Sequence, residues 1–352
     1  KHETFDKAYK DLQNQGTILV QGSGNSHPEE SRQGIQKGTI MVGAIGPEGL
    51  TSGFSQESEH LTILAPVENQ LQTKTNGRFQ TFDGTSAAQP QVCGAVANVM
   101  ALLPGLTEAE ASKLIKETAL PSLNSQEKPQ RNGAGTLNAY KMAAVATRLK
   151  AEWPHNRSRL FSKDPNIYEF PESQKLFDEA KELLNLNNPK TASNPCATRD
   201  GLIMLRKAAL LSPHNISIRE ELAKTYRKLG YTRNARFYES MKGITLKDLE
   251  KLWKEFSTTK HEAMSIAREA EKRGREALPL LEQILKESTA ADVIKIAANS
   301  VQKIAPGETI KKMLIAAIPS QKSLAPALKS LQLAKELGTP QAQLDKAIKT
   351  SM

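Results

Sequence analysis

Residues 83–102 read DGTSAAQPQVCGAVANVMAL, and this stretch decides how the first half of the chain folds. It opens with a glycine turn, places a hydroxyl at Ser86, and continues as small and apolar residues. A run of this length and composition predicts a buried helix that begins beside Ser86. A hydroxyl at a helix N-terminus after a glycine turn is exposed, at the point where the helix dipole favours negative charge.

Short apolar runs before this helix predict the strands of a sheet. The runs are TILV, TIMVGAI and LTILAP, at residues 17–20, 39–45 and 61–66. Residues 5–12 carry a helical stripe, and Thr107 with Glu110 predicts a capping box that opens the helix after residue 107. Strands that alternate with helices predict an α/β fold with a mainly parallel sheet covered on both faces.

A second motif, GSGNS at residues 22–26, follows the strand that ends at Val20. A turn of small residues that includes Asn25 offers a side-chain amide as a hydrogen-bond donor. Together, Ser86 and Asn25 can supply a nucleophile and half of an oxyanion hole for acyl transfer. Taken singly, each motif has an ordinary structural explanation, because GxGN turns are common and serine at a helix start is often only a cap.

Six motifs in order give the first half a resemblance to a known family. GTSAAQP at residues 84–90 resembles the serine signature GTSxAxP of subtilisin-like serine peptidases, the subtilases, and residues 17–25 resemble their strand that ends in AGN. The other four are similar to the family's VGAV, FS, MAP and GxGxxN segments, at residues 42–45, 53–55, 64–66 and 132–140. The resemblance covers about residues 5–150 and implies the incomplete, C-terminal portion of a subtilisin-like domain.

The resemblance implies a role for each matching residue. Ser86 is then the nucleophile that attacks the scissile carbonyl of a protein or peptide substrate, and the Asn25 amide and the Ser86 backbone N–H bind the oxyanion. The implied substrate-binding residues are Gly22, Ser23 and Gly24, in one wall of the S1 pocket, and Gly84 and Thr85, which set the turn. This chemistry needs no cofactor, and we expect no catalytic metal. Structural Ca²⁺, which family members often bind, stays open because the sequence has no dense carboxylate cage.

Two positions depart from the family pattern. Gln89 and Gln91 stand where relatives usually have Ser and His, just after the nucleophile. Neither position belongs to the acyl-transfer machinery, so the two glutamines indicate a divergent subfamily.

The general base is missing from the matching positions. In this family a His oriented by an Asp takes the serine proton, and both precede the oxyanion Asn by many residues. Only 24 residues precede Asn25. The candidates in this chain, none of which has the family's order or sequence context, are His2, Asp6, Asp11, His27 and His60.

Two explanations stay open for the missing base. The chain begins without an initiator Met or a signal segment, so we expect a piece of a longer polypeptide whose N-terminal fragment supplies Asp and His. In that case the protein is a serine endopeptidase, and this chain alone is inactive. The alternative is a catalytically inactive pseudo-peptidase that binds proteins through its helical domain. The family resemblance, and no residue of this chain, implies a secreted or cell-envelope location.

The composition changes near residue 150, which predicts a peptidase-like portion at 1–150, a linker at 151–171 and an all-helical domain at 172–352. Residues 205–230 resemble a tetratricopeptide repeat, and only about one and a half repeats are recognisable. Such a domain can hold a protein partner. Later helices are predicted near 246–256, 260–274, 289–304, 308–318, 322–337 and 340–349.

The chain has a formal net charge of +10, and along these helices Lys and Arg are interleaved with Asp and Glu. This pattern favours solvated helix faces over a nucleic-acid-binding surface. No apolar run approaches the length that spans a membrane. Cys93 and Cys196 are predicted to be buried free thiols, with a disulfide between them as the alternative.

Overall fold

The computed structural model describes residues 2–27, 38–67, 70–74, 77–122, 133–161, 167–184, 195–241, 243–321 and 324–351. The chain divides into two compact units. Unit 1 consists of Lys1–Gly24, Ser31–Gly49 and Glu57–Gly243, and unit 2 of Asn25–Glu30, Leu50–Gln56 and Ile244–Met352. The borders predicted at residues 150 and 171 rest on a change in amino-acid composition, whereas the two units are defined by contacts between residues. These borders stay a prediction.

Unit 1 contains a parallel sheet of three described strands, in the order β1-β2-β3. These strands are β1 Leu19–Gly22, β2 Thr39–Ile45 and β3 Leu61–Pro66. The central strand β2 is buried along nearly its whole length, as its unbroken apolar run requires. The predicted α/β fold with a parallel sheet is confirmed, although β1 begins two residues after the start of the predicted run. An antiparallel hairpin that the sequence did not predict joins β4 Gln70–Thr73 to β5 Phe79–Phe82.

The helix that decides the fold packs on this sheet. It runs over Thr85–Leu102 and buries Val92, Val96 and Val99. The opposite face is exposed, so the prediction of a helix buried all round is wrong for the described residues. The exposed residues of the helix are Ser86, Pro90, Cys93, Gly94, Ala97, Asn98 and Ala101. Cys93 and Cys196 do not form the alternative disulfide, and both are exposed rather than buried.

Further helices complete unit 1. In chain order they are α1 His2–Asn14, α2 Thr85–Leu102, α3 Glu108–Thr118, α4 Ala139–Leu149, α5 Glu172–Leu183, α6 Pro195–Leu211, α7 Ile216–Lys228 and α8 Thr232–Ser240. Short 3₁₀ turns lie at Lys150–Glu152 and Arg157–Leu160. The predicted capping box is present, because Glu110 N–H donates to Thr107 Oγ1 at 3.3 Å and Thr107 N–H donates to Glu110 Oε2 at 2.8 Å.

Helices α5–α8 enclose an apolar core in which alanines let the helices approach closely. Its larger side chains include Phe177, Leu205, Leu222, Tyr226 and Tyr238. The Tyr226 and Tyr238 rings are stacked with centroids 6.1 Å apart. The resemblance of residues 205–230 to a tetratricopeptide repeat stays a prediction.

Unit 2 is mainly helical, and each later helix predicted from the sequence is present. The helices are α9 Leu246–Phe256, α10 Lys260–Glu271, α11 Leu278–Glu287, α12 Ala291–Ile304, α13 Glu308–Ala317, α14 Leu324–Glu336 and α15 Gln341–Ser351, with 3₁₀ turns at Gly274–Ala277 and Ile318–Ser320. Helix α11 was not predicted from the sequence. Pro279 lies in the first turn of α11, where its missing N–H removes no helical hydrogen bond.

A stretch from the first half of the chain, Leu50–Gln56, belongs to unit 2 and packs against α10. Arg268 Nη1 donates to the Ser52 carbonyl at 2.8 Å and to the Ser55 carbonyl at 2.6 Å. Gly53 N–H donates to Ser265 Oγ at 3.1 Å. The segment that resembles the family's FS motif is therefore held by the helical unit.

Within the described part of the chain, no helix combines the length and the apolar character that crossing a membrane requires.

The contact between Gly53 and α10 leaves no room for a side chain. A Cβ at Gly53 would lie 2.3 Å from Met264 Cβ, whereas a Cβ at Gly94 in α2 would meet nothing within 4 Å. We expect Gly53→Ala to lower the free energy of unfolding by about 1–3 kcal/mol through overpacking. Gly94→Ala, the matched control, raises it by about 0.5–1 kcal/mol because alanine is the better helix former. Urea titration of both variants measures the difference, and an unchanged midpoint for Gly53→Ala would contradict this packing.

Candidate active site

The first turn of α2 places Ser86 at the surface. β5 ends at Phe82, and Gly84 follows with φ 98° and ψ 166°, a conformation that a residue with a side chain adopts only with strain. Gly84 is the N-cap and offers no side-chain bond to the helix. Thr85 is buried and Ser86 is exposed. Because Ser86 is the second residue of the helix, its backbone N–H has no intrahelical acceptor and is available to an anion.

The turn after β1 meets this helix start. Gly24 N–H donates to Thr85 Oγ1 at 3.2 Å. A Cβ at Gly22 would lie 2.9 Å from the same oxygen, so only glycine fits there without a shift. The structure thus brings together four of the five residues predicted to bind substrate: Gly22, Gly24, Gly84 and Thr85.

The fifth, Ser23, lies between the two glycines with its side chain fully buried. Its N–H donates to the Val42 carbonyl at 2.8 Å, which continues the pairing of β1 with β2. The Ser23 Oγ has no hydrogen-bond partner. Ser23 therefore positions the backbone of the turn rather than presenting its hydroxyl at the surface.

Asn25, the predicted oxyanion donor, directly follows Gly24 and is exposed. It begins the first segment of unit 2, whereas Ser86 belongs to unit 1. Its role as the donor stays a prediction.

Two side chains that the sequence analysis left without a role fasten α2 to the sheet. Gln89 Nε2 donates to the Val20 carbonyl in β1 at 2.8 Å. Gln91 Nε2 donates to the Pro66 carbonyl at the end of β3 and, at 3.4 Å, to the Ala87 carbonyl. These amides bond the carbonyls of Val20 within β1 and of Pro66 at the end of β3, and they fix the helix that carries Ser86. The local sequence gives no sign that Gln89 and Gln91 bond to the strands. Their role is seen only in the three-dimensional structure.

No hydrogen bond joins Ser86 to a histidine among the described residues. His60 is exposed in the turn before β3, and Asp11 is exposed on α1, which also carries His2 and Asp6. His27 lies in unit 2, where its N–H donates to the Phe54 carbonyl at 3.1 Å.

The imidazole of His27 is unsuited to general-base catalysis. Burial, as the largest cause, and the nearby positive charges of Arg268, Lys303 and Lys272 together lower its pKa from 6.5 to about 2. A group with so low a pKa is neutral at pH 7 and is too weak a base to take the proton of a serine hydroxyl. The sequence-based exclusion of His27 therefore has a physical reason.

The described residues contain no group of three or more His, Cys, Asp or Glu side chains placed to hold a metal ion. The structural Ca²⁺ left open by the sequence analysis is not tested by this observation and stays open.

Comparison with known proteins shows what the first part of the chain is similar to. Residues 1–141 match the Subtilase family model. The resemblance predicted from the six motifs is thereby confirmed for this part of the chain. The subtilase-like region contains Ser86, the glycine turn at Gly84 and the turn at residues 22–25.

Curated relatives match the same region. An intracellular serine protease of Paenibacillus polymyxa is 36% identical over 124 residues, which are 33% of this chain and 37% of that protein. Subtilisin BL of Lederbergia lenta is 31% identical over 137 residues, 39% of this chain and 49% of that protein. The chain therefore spans half or less of the length of these two relatives.

A solved structure described as proteases from Pseudoalteromonas arctica matches with a TM-score of 0.35 and 22% identity. The match covers 40% of this chain and 46% of that one. A likeness this low carries no argument of its own.

The half-buried His27 makes stability depend on pH. Its pKa is about 2 in the folded chain and about 6.5 when exposed. The unfolded chain therefore binds the proton first as the pH falls, and stability that is fully present above about pH 6.5 is lost progressively below it. We expect His27→Gln to flatten the fall in the free energy of unfolding between about pH 6.5 and 4, measured by urea titration. His60→Gln, at an exposed histidine, is the control, and equal slopes for His27→Gln and the parent chain would contradict the assignment.

Proposed function

We propose that the protein is a serine endopeptidase that hydrolyses peptide bonds of proteins by acyl transfer through Ser86. The observation that carries this proposal is the exposed Ser86 hydroxyl at the N-terminus of α2, beside the close contact of the Gly24 N–H with Thr85. The subtilase match at residues 1–141 and relatives that are named serine proteases support it. The activity of the whole protein is a proposal because the chain spans only part of those relatives.

In the proposed reaction, the Ser86 oxygen attacks the scissile carbonyl carbon while a base takes its proton. The carbonyl oxygen becomes an anion that accepts hydrogen bonds from the Ser86 N–H and the Asn25 amide. The C–N bond then breaks, and the leaving amine takes the proton back from the base. Water adds to the acyl-enzyme by the reverse sequence of steps and frees Ser86.

The base and the Asp that orients it are proposed to come from an N-terminal segment of the same protein, which is the partner that completes the site. The weak basicity of His27 supports a base from elsewhere. The exposed face of α2, made of small residues such as Cys93, Ala97 and Ala101, gives such a segment a surface to cover. This chain alone is then inactive.

The remaining properties follow from the same chemistry. A serine nucleophile with its base and oxyanion donors needs no cofactor, and the substrates are proteins or peptides. We propose a secreted or cell-envelope location because this is the usual location of the family. One of the relatives, in contrast, is named an intracellular serine protease. The helical domain is proposed to hold a protein partner.

A fluorophosphonate probe tests the nucleophile, because it labels only an activated serine. We expect labelling of the full-length gene product at Ser86, and none in its Ser86→Ala variant or in the 352-residue chain alone. Mass spectrometry of the labelled peptide locates the site. Absence of labelling in the folded full-length product would contradict the enzyme and favour the alternative, a pseudo-peptidase that acts as a binding module.

The oxyanion role of Asn25 is tested separately. We expect Asn25→Ala in the full-length product to lower kcat by about 10²–10³-fold with little change in KM, a magnitude known for such a donor in subtilisin itself rather than derived from this structure. The control is Ser26→Ala, which truncates the neighbouring exposed residue. Steady-state hydrolysis of a peptide substrate measures both, and equal kcat values for the two variants would refute the assignment of Asn25.

A further inference from the structure

Arg219, in the first turns of α7, is buried without a hydrogen-bond partner. The residue is only 7% exposed. Its Nε and Nη1 atoms are both shielded from solvent, and neither meets an acceptor. The helix start itself is satisfied by Asn215, whose side chain accepts the Ile218 N–H, so Arg219 is not needed as a cap.

A buried guanidinium without acceptors is an unfavourable arrangement. Arginine keeps its proton in proteins, so it cannot relieve the cost of burial by becoming neutral. Burial lowers the pKa of Arg219, and Glu220 opposes that shift without forming a hydrogen bond to Arg219. Buried charges are normally paired, so Arg219 lacks an anion that its surroundings do not supply.

A cavity of about 500 Å³ provides the place for that anion. It lies along α7 and α8 within unit 1, and Arg219 is part of its wall. The remaining lining residues are Glu220, Ala223, Lys224, Arg227, Lys228, Tyr238 and Glu239. Cations therefore outnumber carboxylates in the wall by four to two.

Three other charges of the wall, Arg227, Glu239 and Lys224, form ion pairs. Arg227 Nη2 donates to Glu239 Oε1 at 2.7 Å, and Lys224 pairs with Glu221 at 3.4 Å. Ala223 and Tyr238 form an apolar wall, and stacking of Tyr238 on Tyr226 fixes that ring. The cavity thus combines one unsatisfied guanidinium with a rigid apolar surface.

We propose that this cavity binds a side-chain carboxylate of an acidic peptide segment, with Arg219 as the residue that receives it. Because Nε and Nη1 are shielded from solvent, the remaining guanidinium nitrogen, Nη2, is the one that can donate a charge-assisted hydrogen bond to a carboxylate in the cavity. A single negative charge suits the site better than the two charges of phosphate, because Glu220 and Glu239 lie in the same wall. The apolar wall accommodates the methylene groups of a Glu or Asp side chain, and the volume fits one or two residues.

Binding is tested on the whole 352-residue chain with a fluorescein-labelled hexaglutamate peptide. We expect anisotropy to show binding that weakens with added salt and is absent for the matching hexaglutamine peptide. Arg219→Met weakens binding by about tenfold or more, because it removes charge-assisted hydrogen bonds. Lys207→Met, which removes one exposed positive charge from α6, leaves the affinity within about twofold. Inorganic phosphate competes only at far higher concentration than unlabelled hexaglutamate.

The melting temperature separates a binding role from a structural one. Methionine fills a similar volume without a charge, so Arg219→Met is expected to raise the melting temperature of the ligand-free chain by about 2–4 °C, while hexaglutamate stabilises only the parent chain. Equal binding by the parent chain and Arg219→Met would overturn the proposal, as would a lower melting temperature for Arg219→Met. Competition by phosphate at the same concentration as the peptide would overturn the choice of a peptide. None of these readouts depends on peptidase activity.

Discussion

The close approach of the turn after β1 to the first turn of α2 is the constraint on which the candidate site depends. The buried Thr85 hydroxyl accepts the Gly24 N–H, and the space beside it admits no side chain at Gly22. With Thr85 turned inward, the next residue of the helix faces outward, and that residue is Ser86. The glutamine amides that reach the Val20 and Pro66 carbonyls hold the same helix on β1 and β3. Exposure of the hydroxyl is thus a result of how tightly its neighbours are packed.

Two buried arginines differ in how the fold offsets the cost of burying a guanidinium charge. Arg268 is 3% exposed and donates to the carbonyls of Ser52 and Ser55, so its charge organises a loop that has no regular secondary structure of its own. Arg219 is buried to a similar degree, yet two of its nitrogens meet no acceptor. Desolvating a guanidinium is costly in both places. For Arg268, hydrogen bonds within the fold offset the cost of desolvation. For Arg219, they do not, and an anion from outside the fold can supply the missing interaction.

Local signals in the sequence predict local structure well here. The capping box of Thr107 and Glu110, the three strands and the later helices each carry their own pattern of neighbours within a few residues. Helix α11, by contrast, was not predicted, although Pro279 in its first turn is compatible with a helix start. Among the site residues, Ser86 was indicated by its place after a glycine turn at the start of a predicted helix, and the family motifs pointed to the glycines around it. The partners of Gln89, Gln91, Arg268 and Arg219 lie in other elements or are missing altogether, so no spacing within the sequence reveals what these side chains do.

The packing of Leu50–Gln56 on α10 also bears on how the protein is made. Gly53 and the Ser265 hydroxyl that accepts its N–H are separated by 212 residues. On a ribosome that adds about 5–20 residues per second, roughly 10–40 s pass between the two entering the chain. Until α10 emerges, the loop lacks the acceptor for Gly53 and the guanidinium that holds the Ser52 and Ser55 carbonyls. The segment that contains His27 is delayed as well, because the His27 N–H donates to the carbonyl of Phe54 in that loop. The part of the subtilase-like region next to Asn25 therefore reaches its final form only after the first two helices of unit 2, α9 and α10, have been synthesised.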